Sequence, residues 1–286
     1  MNTHVKSAVA DPVAFSGDPH VLPVIERGPW IATASGKMWS IEHPHPADVL
    51  LDDLAWGAAR QCRYGGQIRT DLEIYAVTEH QTKMTWWAIR EGRAETLEQG
   101  LAILLHDASE GIYGDMVTPL KLLLPEFRVK EDQAQAVITT AFGLSPENTA
   151  MSKAELKEID IRIRIDERLQ VIQDPARQIG LSASLGASDD GLKPLGVRIA
   201  AELPSVSRRH YLECFCWCVE NLAAVDPRVE QLARAQIAGI PGSIAARRPE
   251  DSEIFLTRAE LALLTDAVRL PLAADAEREV AEPAAV

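Results

Sequence analysis

Positive charge is scarce in this chain: 29 Lys and Arg stand against 42 Asp and Glu among 286 residues, a formal net charge of −13. A general nucleic-acid binder needs a basic footprint to meet phosphates, so no nucleic-acid partner is expected. A small anionic substrate is still compatible, because a metal and a few local cations can supply the field it needs. Cysteine is sparse too. Cys62 stands alone, and Cys214, Cys216 and Cys218 alternate within one apolar stretch, which suits neither a disulfide framework nor the usual zinc spacings. A reduced, cytoplasmic compartment is the expectation. No run approaches eighteen apolar residues and the N-terminus has no signal-type apolar segment, so neither secretion nor a membrane partner is expected. With 47% hydrophobic and 25% charged residues, the chain has the material for a real core in one large or two small domains.

Periodicity and punctuation describe a mainly helical chain. Residues 1–22 mix Pro, Asp, Ser and Gly without a period and read as a flexible arm, with His4 and His20 in it. Segments 30–33 and 38–41 flank Ala34-Ser35-Gly36-Lys37 as a β-hairpin, and His43-Pro44-His45-Pro46 breaks regular structure. A helix is predicted over 47–60 with Val49, Leu50, Leu54 and Ala58 inward. Thr78 with Gln81, Thr96 with Gln99, and Ser152 with Glu155 match capping boxes and place three helix starts, the last helix running to about residue 173. Leu122-Leu123-Leu124-Pro125 ends a short helix, and another follows over 131–142. Residues 181–196, rich in Ser, Gly and Asp, read as a loop and a candidate lid. A helix over 208–222 sets Tyr211, Cys214 and Cys218 on one core face. Two more helices, near 227–238 and 257–269, extend the chain, the second opened by Thr257 and Glu260, before an Ala/Glu tail over 275–286. The division is therefore an arm (1–22), a main domain (23–222), a helical extension (223–274) and a tail.

The chemistry concentrates in His106-Asp107-Ala108-Ser109-Glu110, running on through Gly114-Asp115 to Thr118-Pro119-Leu120-Lys121. Leu97, Leu101, Leu104 and Leu105 upstream have helical spacing and would deliver the cluster into a core. On a helix, Glu110 shares one side with His106 and Asp107, and Gly114 is a turn that could return Asp115 to the same place. Carboxylates and an imidazole converging in a core are costly unless a cation satisfies them, and a divalent metal is the economical one. Arg63, before Tyr64-Gly65-Gly66, is either a surface cation or an anion clamp. His80, in Glu79-His80, lies on the face of Met84 and Trp87. Asp160 borders the apolar row Leu156, Ile159 and Ile163; it either pairs with Arg162, Arg164 or Arg168, or turns into the site, and Asp166 competes for that role.

The string resembles the signature of the HD-domain phosphohydrolases, particularly the 5′-deoxynucleotidase branch and its phage-type relatives. There the His-Asp doublet is followed by Ala-Ser-Glu, Gly-Asp and Thr-Pro-x-Lys, all present here. The resemblance covers about residues 28–222 and implies an all-α HD-domain helical bundle with the small N-terminal hairpin. It implies one divalent metal (Mn, Co, Zn or Mg) held by His80, twenty-six residues before the doublet, and by His106, Asp107 and Asp160, which the family's pattern favours over Asp166. Glu110 would orient or deprotonate the attacking water and Asp115 would protonate the departing 5′-oxygen, roles that could be exchanged. Lys121 and Arg63 would neutralise phosphate oxygens, with Tyr64 and Thr118 beside the substrate. Relatives carry Trp after the Arg, where it helps sense the missing 2′-hydroxyl; Tyr64 departs from that. The implied activity is 5′-deoxynucleotidase, giving nucleoside and phosphate. Its alternatives are a dATP-type triphosphohydrolase releasing tripolyphosphate and a catalytically retired nucleotide-binding module. Relatives self-associate, so a homo-oligomer is implied as well.

Overall fold

A computed structural model describes residues 26–172 and 191–269. The arm over 1–22, most of the candidate lid (181–190) and the tail over 275–286 lie outside the described residues. The two strands β1 (Trp30–Ala32) and β2 (Met38–Ser40) pair antiparallel with Ile31 opposite Trp39, and everything else is helical or loop. The fold is all-α with a small hairpin, as predicted.

Local chemistry sets most helix starts. α3 (Leu97–Leu104) and α8 (Lys153–Gln170) both carry complete capping boxes, Thr96 with Gln99 and Ser152 with Glu155. The Thr78–Gln81 box does not form. α2 (Val77–Arg90) starts from Ala76, and the buried Thr78 hydroxyl lies 2.6 Å from the Ser207 hydroxyl. A tertiary hydrogen bond has claimed the group that would have capped. The helix predicted over 47–60 also starts late. Pro46 opens a separate 3-10 turn, Pro46–Asp48, capped by His45 Nδ1; Val49 is then extended, and α1 spans Leu51–Ala59. The stretch 122–125 does end a short helix, and the helix predicted over 131–142 starts earlier, at Pro125: α6 runs Pro125–Ala141, because a proline in the first turn loses no hydrogen bond. Between them lie α4 (Glu110–Tyr113) and α5 (Thr118–Lys121), and α7 (Pro146–Thr149) precedes α8.

α2 is the central element. It is buried from Val77 to Ala88 and packs against α1, α3, α8 and α9 (Pro204–Asn221). A helix enclosed on all sides can carry a polar residue inward only where partners wait for it, and that is where His80 stands. α9 supplies Tyr211, Cys214, Phe215 and Cys218 to the core. α10 (Pro227–Ala238) matches its predicted limits, and α11 (Asp251–Ile254) and α12 (Arg258–Arg269) follow. Val229, Ala233, Ile254 and Phe255 enter the same core as the main domain, so the extension is continuous with it. α1 and α4 touch backbone to backbone at Gly57 and Gly111: a Cβ on Gly57 would stand 1.8 Å from the Gly111 carbonyl oxygen. That contact seats Glu110, the first residue of α4. No helix among the described residues is long and apolar enough to cross a membrane.

Candidate metal centre

The His106-Asp107 doublet is not helical. α3 stops at Leu104, and the chain continues in tight turns, with Ala108 N donating to Leu105 O and Glu110 N to Asp107 O, both at 3.1 Å. The shared helix side predicted for His106, Asp107 and Glu110 is therefore replaced by a turn that gathers the same side chains. His106 contributes to this ending. Its Nδ1 lies 2.8 Å from Ile103 O, one of the carbonyls a helix C-terminus leaves without a partner. A carbonyl only accepts, so Nδ1 carries the proton and Nε2 is left to face the core.

His80 is arranged in the same way from the opposite side. Its Nδ1 is 2.6 Å from Glu167 Oε1, so its Nε2 also points inward. The two Nε2 atoms are 3.3 Å apart. Asp160 Oδ1 is 3.7 Å from His80 Nε2; Asp107 Oδ2 is 3.0 Å from His106 Nε2 and 3.8 Å from His80 Nε2. Ligand atoms of His80, His106 and Asp160 all lie within 4.8 Å of one another. Two imidazole nitrogens cannot sit lone pair to lone pair without a proton or a cation between or beside them. Burial, then Arg63, pulls the His80 pKa down, whereas the Asp107 and Asp160 charges raise that of His106 against the effect of its burial. His80, His106 and Asp160 could hold a metal ion, two imidazole nitrogens and a carboxylate oxygen that suit a mid-row divalent ion, and Asp107 borders them. The residues present fit such an ion.

Asp160 and Asp166 separate clearly. Asp160 faces His80 and is also held by Arg164 at 2.9 Å and Lys157 at 2.8 Å. Asp166 turns away, accepting from the backbone amides of Leu195 at 2.7 Å and Gly196 at 3.1 Å. Glu110 is buried; one of its oxygens is 3.5 Å from Lys121 Nζ and the other has no partner. Burial, then the charges of Asp107 and Asp115, pushes its pKa well up. Gly114, at φ 88, does return the chain: Asp115 is raised by burial and by Asp107 and feels Arg63 and Lys121 as well. Lys121 is anchored to Glu131 at 2.8 Å, and Thr118 is half-buried at the start of α5. Arg63 is not a surface cation. It is buried, 3.3 Å from Glu167 and 3.9 Å from Asp107, and Tyr64, in the left-handed region, hydrogen-bonds Glu167 through its hydroxyl.

Three residues escaped the sequence reading: Glu167, Tyr75 and Glu131. Glu167 had a signal, since seven residues after Asp160 is two turns along the same helix face. Glu131 and Glu167 join Asp107, Glu110, Asp115 and Asp160 around Arg63, Lys121, Lys157 and Arg164, so the centre is a dense network of opposed charges.

Fold and centre together define a helical protein with a histidine–carboxylate cluster of metal-binding geometry. The chain belongs to the family of an uncharacterized protein of Rhodobacter capsulatus, to which it is 33% identical over 132 residues, 46% of this chain and 67% of that protein. It is also similar to the uncharacterized protein YfdR of Escherichia coli, 30% identical over 117 residues, covering 41% of this chain and 60% of YfdR. No family model matches the chain.

Proposed function

We propose that this chain is an HD-type, metal-dependent phosphohydrolase that cleaves the 5′-phosphate ester of a deoxynucleoside monophosphate to nucleoside and phosphate. The observation that carries the reading is the pair of Nε2 atoms 3.3 Å apart, each freed by a Nδ1 committed elsewhere and flanked by Asp107 and Asp160. His80, His106, Asp107 and Asp160 would hold the ion. When bound, it supplies Lewis acidity toward a phosphate oxygen and toward the attacking water. Glu110 has a buried, unpartnered oxygen and a raised proton affinity, so it is suited to take the proton from that water. Asp115, also raised, returns a proton to the departing 5′-oxygen. Lys121 and Arg63 border the same space and balance charge there.

The choice of one phosphate over three rests on the cations. Among the described residues at the centre, Arg63, Lys121, Lys157 and Arg164 each already oppose a carboxylate. A triphosphate would bring further charge to a centre whose four cations are already engaged.

The test is a product assay on protein loaded in turn with Mn, Co, Zn and Mg, offered the common nucleoside mono- and triphosphates. Phosphate and nucleoside are expected from monophosphates, and loss of at least about 1,000-fold in His106→Ala, which removes a ligand and with it the activated water. Tripolyphosphate from a triphosphate would overturn the substrate while keeping the centre. No turnover on any of them with any of the metals would overturn the activity.

A further inference from the structure

We infer that Glu167 is the positioning residue that makes His80 a metal donor and ties that donor to the Arg63-Tyr64 turn. The inference rests on the metal centre proposed above. Glu167 is fully buried on α8, and its two oxygens are surrounded by donors from two other segments. His80 Nδ1 lies at 2.6 Å and the Tyr75 hydroxyl at 2.9 Å on one oxygen; the Arg63 guanidinium at 3.3 Å and the Tyr64 hydroxyl are on the other.

An ionised carboxylate can only accept, so every neighbour must donate. His80 is thereby locked with its proton on Nδ1 and its lone pair on Nε2, the tautomer a metal requires. The same arrangement raises the basicity of the ligand nitrogen and fixes the ring plane. A glutamine of the same shape would reverse this. Its amide nitrogen would replace one of the two oxygens; Arg63 can only donate, so the arrangement that relieves the clash turns the amide oxygen to Arg63 and the amide nitrogen to His80, donating to Nδ1 with His80 protonated on Nε2. A proton would then point where the ion belongs. Tyr64 shares the carboxylate while held at φ 60 and ψ 21, a region disfavoured for a residue with a side chain. One buried acid thus holds both the donor and the turn beside it.

The experiment measures tautomer and affinity rather than turnover. Long-range nitrogen–proton spectra of the metal-free wild type are expected to show His80 protonated on Nδ1 and bare on Nε2. In Glu167→Gln the proton is expected to move to Nε2, and Mn(II) affinity by calorimetry to fall about 10–100-fold, with Glu167→Asp recovering part of the loss. Wild-type His80 protonated on Nε2, or Glu167→Gln binding Mn(II) as tightly as wild type, would overturn the inference. The wild-type spectrum decides even if the glutamine variant does not fold. Wild-type protein that binds none of Mn, Co, Zn or Mg would instead sink the centre itself and this role with it.

Discussion

Two sets of buried and half-buried carboxylates in this molecule are built oppositely. Glu98, Asp166, Asp53 and Glu79 are each nearly inaccessible, and each accepts backbone amides from a segment distant in sequence. Glu98 takes Val225 N and Asp226 N at 2.9 and 2.8 Å, Asp53 takes Ser35 N at 2.6 Å, and Glu79 takes Ala200 N and Glu202 N at 2.6 and 2.9 Å. Asp107, Glu110 and Asp160 instead face side chains: imidazoles, lysines, arginines and one another. The first set spends its acceptors on the backbone amides of loops and turns that it ties to the helices, which is structural use. The second leaves acceptor capacity and like charge pointing at one small volume. Burial alone does not distinguish a functional acid from a structural one; what fills its lone pairs does.

If that distinction is right, substitutions in the two sets should separate activity from stability. Glu110→Gln removes a charge that its surroundings disfavour. Turnover should fall about 100- to 10,000-fold, the usual worth of a positioned acid or base. Stability to urea should hold or rise by roughly 1 kcal/mol, as is common when a strained functional group is neutralised. Glu98→Ala should do the reverse. Two backbone amides of the turn before α10 lose a charged acceptor, each bond being worth about 1.5–3 kcal/mol, and water can replace part of it, so a loss of about 2–4 kcal/mol is expected, with Mn(II) affinity unchanged. Comparable destabilisation by both substitutions would erase the comparison.

The same contrast explains what could be read in advance. The hairpin, α10 and the three capping boxes at Thr96, Ser152 and Thr257 are short-range features, and each stands where its own residues put it. The constituents of the centre were legible because a doublet with fixed spacing keeps its members together whether the backbone is helix or turn. Its geometry was not: the carbonyl that His106 captures ends α3 two residues before the doublet. Glu167 was missed for a different reason. α8 is crowded with charge, and the acid that turns inward is chosen by Arg63, Tyr64, Tyr75 and His80, between 87 and 104 residues away. Asp166, the competing ligand in the sequence, is claimed by the amides of a returning loop. Local signals fix elements; the direction in which a polar residue on a crowded helix points is a tertiary decision.

An exposed acid offers the smallest test, because its bonding resembles the structural set while its burial does not. Glu260 accepts from Arg198 at 2.8 Å and from Thr257 N at 2.8 Å at the start of α12, which packs on α8. Those bonds hold its pKa down to about 2, against an ordinary value of 4.5, the Arg198 hydrogen bond being the largest cause. A depressed carboxyl contributes its stabilisation above the ordinary value and loses it as pH falls through the depressed one. α12 should therefore keep its hydrogen-exchange protection at pH 5 and lose some of it between about 4.5 and 2, a loss that shrinks at high salt, where the solvent-exposed pair is screened. Glu260→Gln should show the weaker protection already at pH 5 and no further loss across that window from this residue. If instead wild type and variant lose protection in parallel, the capping acid contributes nothing to holding α12. Amide bonding would then matter only where it is also buried, which is a sharper form of the rule drawn from Glu98 and Asp166.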